Sequence, residues 1–464
     1  MIGISRYPAK EEWNELLERT SVSTGSLTDT VERVFSRVKT HKDEAVKAYE
    51  QQFDQVKLAC LQVQDQEFDE AEGLVPPRLK EAIAVAADNI RTFHQSQIHE
   101  ESPVETMPGV VCWRKNVPIE KVGLYIPGGS APLFSTVLML GIPAVLAGCP
   151  HIILCTPPNK DGKVHPAVLY AAQHIGLREI YKAGGVQAIA AMTYGTETIP
   201  AVYKIFGPGN QYVMAAKSYA FQRGVAIDMP AGPSEVLVMA DDSSNPAFVA
   251  ADLLAQAEHG PDSQAILVTD SDQVLRDVYD QLALQIEALP RRELAAKSLR
   301  NSFLVLLESL QDMMLFSNTY APEHLIISTK NPEQVASQVV NAGSVFLGHY
   351  SPESAGDYAS GTNHSLPTSG FARSYGGVSL DSFIRKITFQ NLTSGGFAAL
   401  GPQIQEIANA EGLFAPINAT ALRLYHVKYD GPAKYCPGTH STSETLLIGQ
   451  RRVSGRRFGF SGRQ

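Results

Sequence analysis

From Lys121 onward the chain repeats one rhythm: a short run rich in β-branched residues, a Gly/Pro turn, then a helical stretch. The runs are KVGLYIP, HIILCTPP, REIYKAGG, VYKIFGPGN, VAIDMP, EVLVMAD, QAILVTD and SFLVLLES. Apolar runs this short, alternating with helices, imply parallel strands buried on both faces. Roughly 200 residues of such pattern exceed what one compact sheet needs. The expected class is therefore α/β, with the chain divided near residue 240.

On this reading 106–240 and 241–380 form two Rossmann-like doubly wound domains. Residues 1–105 read as a helical segment, in which Ser26 caps a helix carrying Leu27, Val31, Val34, Phe35 and Val38, and Pro76 opens another with Leu79, Ile83, Ala86 and Ile90. A small helical appendage follows at 381–424, with Phe383, Ile387, Ile404, Ile407 and Leu413 as its apolar positions. Residues 425–464 lose periodicity and gather Arg451, Arg452, Arg456, Arg457 and Arg463, as expected of a basic, disordered tail.

Composition removes several function classes. A net charge of −9 leaves no overall footprint for nucleic acid or anionic lipid. The longest apolar run, Leu133 to Ala147, is broken by Ser135 and Pro143 and falls short of the ~20 residues a bilayer requires. The opening MIGISRYPAKEEW lacks the pattern of a signal peptide, and the five cysteines (60, 112, 149, 155, 436) show no C-x-x-C. A cytoplasmic protein with reduced thiols is expected.

Polar residues collect in a few places. Asn245 and Pro246 open a helix, closed by Gly260-Pro261, on which Phe248, Val249, Leu253 and Leu254 are expected to bury one face. Gln256 and His259, three apart near its end, project side by side; a capping histidine beside a solvated glutamine is the bland alternative. Glu323 and His324 are adjacent within YAPEHLI, suited either to two separate proton transfers or to capping a helix start. The stretch Ser351–His364, too polar for a core, offers Asp357 and His364. With Gln256 and His259 these make an oxygen-and-nitrogen donor set appropriate to zinc or manganese in a site open to substrate. Three turns, 125–130, 183–187 and 206–210, are rich in Gly and Pro and precede helices, which favours an anion such as pyrophosphate. None is a G-x-G-x-x-G fingerprint, since Tyr212 stands where the last glycine would fall.

The segments GLYIPGGSAPLFSTVLMLGIPA, GGVQAIAA, KIFGPGN, DMPAGPSEVLV, DLLAQAEHGPDSQ, PEHLI and GSVFLGHYSPESAGDYASGTNHSLPT closely resemble the histidinol dehydrogenase family, in order from about residue 5 to 424. The resemblance implies a zinc-containing homodimer that oxidises L-histidinol through histidinaldehyde to L-histidine with two NAD. It assigns Gln256, His259 and Asp357 to the metal, with substrate lying against them. Glu323 and His324 match the catalytic pair, His324 taking the alcohol proton and Glu323 activating water for the aldehyde step. Ser234, His364 and Glu411 match substrate-contacting positions, Glu411 reaching in from a second subunit, and Tyr125, Gln187 and Asn210 match NAD contacts.

One departure bears on the metal. The family pattern places a fourth ligand, a histidine, five residues after the substrate-binding glutamate, where this chain has Pro416. Proline offers no lone pair to a metal, and His426, ten residues on, is the alternative donor. Two rivals therefore stand beside the dehydrogenase: a relative that binds substrate without efficient turnover, and a zinc hydrolase using Glu323 to activate water.

Overall fold

The computed structural model describes residues 2–19, 25–128 and 132–429. Two compact units emerge, a larger one from residues up to 98 with 118–385, and a smaller one from 99–117 with 386 onward. In chain order the strands are β1 (Gly3–Arg6), β2 (Val104–Met107), β3 (Val110–Pro118), β4 (Lys121–Tyr125), β5 (His151–Thr156), β6 (Ile180–Lys182), β7 (Lys204–Phe206), β8 (Ala226–Ile227), β9 (Glu235–Ala240), β10 (Gln264–Thr269), β11 (Phe303–Leu306), β12 (His324–Ser328), β13 (Ser344–Leu347) and β14 (Ile384–Leu392).

The larger unit holds two parallel sheets. One runs β6-β5-β4-β7-β8, the other β1-β11-β10-β9-β12-β13. In the first, Val122 and Leu124 of β4 pack on the helices Pro77–Gln95 and Phe134–Leu146, while Tyr125, Ile153 and Ile205 pack with the helices Gly25–Tyr49, Gly185–Tyr194 and Gln211–Gln222. In the second, Val236 and Val238 face one layer, Leu237 and Met239 the other. This is the doubly wound arrangement implied by the unalternated strand runs. Among the described residues no helix is long and apolar enough to cross a membrane.

Several boundaries differ from the sequence reading. β9 belongs to the second sheet, at its centre, so the chain changes sheet between Ile227 and Glu235 and not near 240. The N-terminal segment is not purely helical, because β1 adds an edge strand beside β11. In 381–424, Ile387 lies on a strand; β14 joins β3 and β2 in a three-stranded sheet of the smaller unit, followed by helices Ser394–Ala410 and Phe414–Tyr429. Trp113 stacks on Phe389 there at 5.4 Å, a cross-strand pairing that helical spacing could not reveal. Of the tail expected over 425–464, residues 425–429 instead extend the last helix, and the remainder lies outside the described residues.

The switch point of the five-stranded sheet lies between β4 and β7, where sheet growth reverses direction. Gly207, just after β7, has φ +133°, and a Cβ on it would collide with the Tyr125 carbonyl oxygen at the end of β4. Its N–H donates to Asp228 Oδ2 (2.8 Å) and its carbonyl accepts from Lys217 Nζ (2.8 Å), while Lys217 and Asp228 form a buried ion pair. Gly207→Ala should therefore cost about 2–4 kcal/mol in urea unfolding, combining backbone strain with a main-chain clash. Gly376→Ala, with no atom within 4 Å of the added Cβ, should change stability by less than ~1 kcal/mol.

Candidate active site

Two strand ends carry the polar cluster. Glu235 opens β9 and His324 opens the adjacent β12, so both stand at the amino edge of the six-stranded sheet. The Glu323-His324 pair thus starts a central strand and does not cap a helix. The main chain of Glu235 serves both residues: its N–H donates to Glu323 Oε2 (2.8 Å), and its carbonyl accepts from His324 Nδ1 (3.0 Å). A carbonyl can only accept, so Nδ1 carries the proton and Nε2 keeps its lone pair. That Nε2 is buried without a hydrogen-bond partner, with Asp357 Oδ1 at 3.7 Å. Glu323 Oε2 lies 3.6 Å from Nδ1, beyond hydrogen-bond reach, so it does not orient the ring.

The Glu235 side chain ties this strand end down. Its carboxylate accepts from Arg19 at 2.5 and 2.9 Å and from the Ser369 N–H at 2.7 Å. Arg19 also donates to the Tyr320 carbonyl (2.7 Å) and lies 4.0 Å over the Tyr320 ring.

The helix Pro246–Ala257 buries Val249, Leu253 and Leu254 as expected, whereas Phe248 is exposed. Gln256 is fully buried, not solvated, and His259, two residues beyond the helix end, is exposed. The short helix Glu353–Tyr358 places Glu353 and Asp357 one turn apart, both buried. Ligand atoms of His259, Glu353 and Asp357 all lie within 4.8 Å of one another. His364 Nδ1 donates to the Asp357 carbonyl (2.9 Å), leaving Nε2 to accept from Thr136 Oγ1 at 3.1 Å. Thr136 sits in the first turn of the helix after β4, so this bond joins the cluster to the carboxyl edge of the other sheet.

Burial sets the charge state of the whole cluster. It raises Glu323 well above the usual carboxylate range, with Glu235 and Asp357 adding repulsion. Glu353 is raised likewise, first by burial and then by Asp357, Glu323 and Asp252. Burial pushes Asp357 and Asp252 each up to about 7, and pushes His324 down to about 3 and His364 down to about 4. Neutral imidazoles and acids that hold their protons are what a desolvated interior favours, and a cation placed among them would release those protons.

Ser234 precedes β9 and is half-buried, its carbonyl accepting from the Gln264 N–H (3.1 Å). Glu411 caps the helix Ser394–Ala410 in the smaller unit and is exposed there. Sequence reading passed over four residues of the cluster: Glu235, Arg19, Asp252 and Glu353. The last two carried a signal, since Asp252 lies four residues before Gln256 and Glu353 four before Asp357, spacing that puts each pair on one helical face. Glu235 and Arg19, 216 residues apart, carried none.

Tyr125, Gln187 and Asn210 are brought together at the carboxyl edge of the five-stranded sheet. All three line a cavity of about 1020 Å³, bounded also by Pro157, Gly185 and residues of the Gly25–Tyr49 helix. The volume suits a dinucleotide-sized ligand. At two of the three turns expected to favour an anion, helix-start N–H groups are already engaged within the chain. Gly185 N–H donates to the Tyr125 hydroxyl (3.0 Å), Gly184 N–H to Glu50 Oε1 (2.8 Å), and Tyr212 and Val213 N–H to Asn210 Oδ1 (3.0 and 3.2 Å).

Comparison with known proteins places this geometry. Residues 17–424 match the family model described as histidinol dehydrogenase. The chain is 59% identical over 428 residues to the histidinol dehydrogenase of Bacteroides thetaiotaomicron, covering 92% of this chain and 100% of that one. It is 52% identical over 397 residues to that of Xanthomonas campestris, covering 85% and 92%. The crystal structure of histidinol dehydrogenase from Elizabethkingia anophelis superposes with a TM-score of 0.90 at 53% identity, covering 92% of this chain and 99% of that one. The chain belongs to the histidinol dehydrogenase family.

Proposed function

We propose that this chain oxidises L-histidinol, through the aldehyde, to L-histidine in histidine biosynthesis, with two NAD as hydride acceptors and one zinc per chain. The observation that carries the reading is a buried imidazole whose Nδ1 is locked as a donor and whose Nε2 is unpartnered, beside a nitrogen-and-oxygen donor set within 4.8 Å. His259, Glu353 and Asp357 suit zinc or manganese by ligand chemistry, and Gln256, fully buried on the adjoining helix, adds an amide oxygen. When bound, zinc supplies an anchor for the imidazole and amine of histidinol, and NAD supplies the acceptor for hydride.

The residues of the chain then have distinct tasks. His324 Nε2 takes the alcohol proton, its ring held by the Glu235 carbonyl. Glu323, fixed through Oε2 by the Glu235 N–H, activates the water that adds to the aldehyde, a role requiring the carboxylate form that a nearby cation favours. Ser234 and His364 border the substrate; the His364–Thr136 bond ties the substrate side to the sheet edge where Tyr125, Gln187 and Asn210 would hold NAD. Burial keeps the reactive aldehyde from escaping between the two oxidations while admitting the water that Glu323 activates. Glu411 would be contributed by a second copy in a homodimer, consistent with the exposed Ile407, Leu413, Phe414 and Leu422 of the smaller unit.

Pro416 lies in the first turn of the helix Phe414–Tyr429, where main-chain N–H groups need no intrahelical partner. The helix accepts the proline, and only a side-chain donor is lost. His426 stands ten residues further along the same helix, about 15 Å at 1.5 Å per residue, too far to replace it in place. Glu353 would take up the free coordination position, being already beside His259 and Asp357. The second reading, binding without efficient turnover, is favoured by Pro416 alone.

Three outcomes test these assignments. His324→Ala should lower histidinol-dependent NADH formation, followed at 340 nm, by roughly 10²–10⁴-fold. Glu323→Gln should drop the yield from two NADH per histidinol towards one, and an unchanged yield at the wild-type rate would refute its role. Elemental analysis after dialysis should find zinc in the wild-type protein, with affinity reduced about 10–100-fold in Glu353→Gln and raised in Pro416→His. NADH formation only after Pro416→His would select the impaired-relative reading instead.

A further inference from the structure

In a common dinucleotide fold the pyrophosphate sits on free N–H groups at a helix start. Here four N–H groups at the helix starts after β6 and β7 are already engaged. Gly184 and Gly185 donate to Glu50 and Tyr125, and Tyr212 and Val213 to Asn210. Glu50 is fully buried, and Gln187 Nε2 also donates to its Oε1 at 2.8 Å, so a carboxyl group stands where an anion would have to go.

The cations lie on another wall. The Gly25–Tyr49 helix presents Arg33 and Arg37, one turn apart on the same face, to the cavity, and Lys160 lines it as well. Arg33 Nη2 donates to Thr30 Oγ1 at 3.3 Å, and Arg37 lies 5.4 Å over the Tyr49 ring. Neither guanidinium forms an ion pair among the described residues. Asp54 is the acid on the cavity lining, and burial raises its pKa, which weakens its charge as a competitor.

We propose that Arg33 and Arg37 hold the diphosphate of the dinucleotide, replacing the helix-start amides used by other folds of this class. The proposal rests on the NAD reading above. Two guanidinium groups with planar N–H forks match the diphosphate oxygens, and a helix sets their spacing more rigidly than a glycine turn would. Gln187 and Asn210, by contrast, are left to the neutral parts of the cofactor.

Equilibrium binding by titration calorimetry tests this without requiring turnover, with NAD+, ADP and adenosine as probes of the full chain. The double variant Arg33→Ala/Arg37→Ala should bind NAD+ and ADP about tenfold or more weakly, and adenosine as the wild type does. The decline of NAD+ affinity with added salt should flatten in that variant. Arg276→Ala, which removes one such charge from the other sheet's helix Asp272–Ile286, should leave all three affinities unchanged. Both arginines are exposed, so the melting midpoint should hold; were it to fall, Arg33→Gln and Arg37→Gln singly carry the same comparison. Unchanged ADP binding in the double variant, or an equal loss for adenosine, would overturn the proposal while leaving the NAD reading intact. Failure of the wild type to bind NAD+ or ADP at all would overturn both.

Discussion

The main chain of one residue, Glu235, organises the polar cluster of this chain. The N–H of Glu235 holds Glu323 and the C=O of the same residue holds His324, so the acid and the imidazole are positioned by a strand that neither belongs to. Because donor and acceptor are main-chain atoms, their geometry is as rigid as the pairing of β9 with β12. The Glu235 carboxylate, clamped by Arg19 and Ser369, keeps that strand end from shifting. A buried carboxylate left without Arg19 would cost far more than a surface pair of the same length, so the N-terminal segment is part of the site's support.

The two sheets are used at opposite ends. The five-stranded sheet offers its carboxyl edge, at the switch between β4 and β7, as doubly wound folds usually do. The six-stranded sheet offers the amino ends of β9 and β12, and there the polar residues are arranged around an imidazole and buried carboxyl groups. The Thr136–His364 hydrogen bond is where the two edges meet. In the proposed function, a cofactor held on one sheet and a substrate held on the other would approach without either crossing a strand.

Charge follows from burial throughout. Glu323, Glu353, Asp357 and Asp252 crowd a desolvated region, and each is raised towards its neutral form, while His324 and His364 are depressed. Such a cluster is costly unless a cation compensates it, and the donors at hand are those that zinc accepts. Pro416 sits where a helix tolerates proline, so a proline at that position leaves the architecture undisturbed.

Much of this was legible in the residues alone. Unalternated β-branched runs separated by helices implied parallel, doubly covered sheets, because no other layer arrangement buries both faces of such strands. Gln256, His259, Glu323, His324, Asp357 and His364 stood out because polar side chains clustered beside apolar runs, and long family motifs gave each a role. What the residues did not disclose was pairing across distance. Sheet membership of β9, the edge strand β1, the strand β14 within an apparently helical segment, the Arg19–Glu235 clamp and the plugged helix starts all depend on partners remote in the chain. Local periodicity records which face of an element is apolar, but only the folded chain decides what lies against that face and which donors remain free.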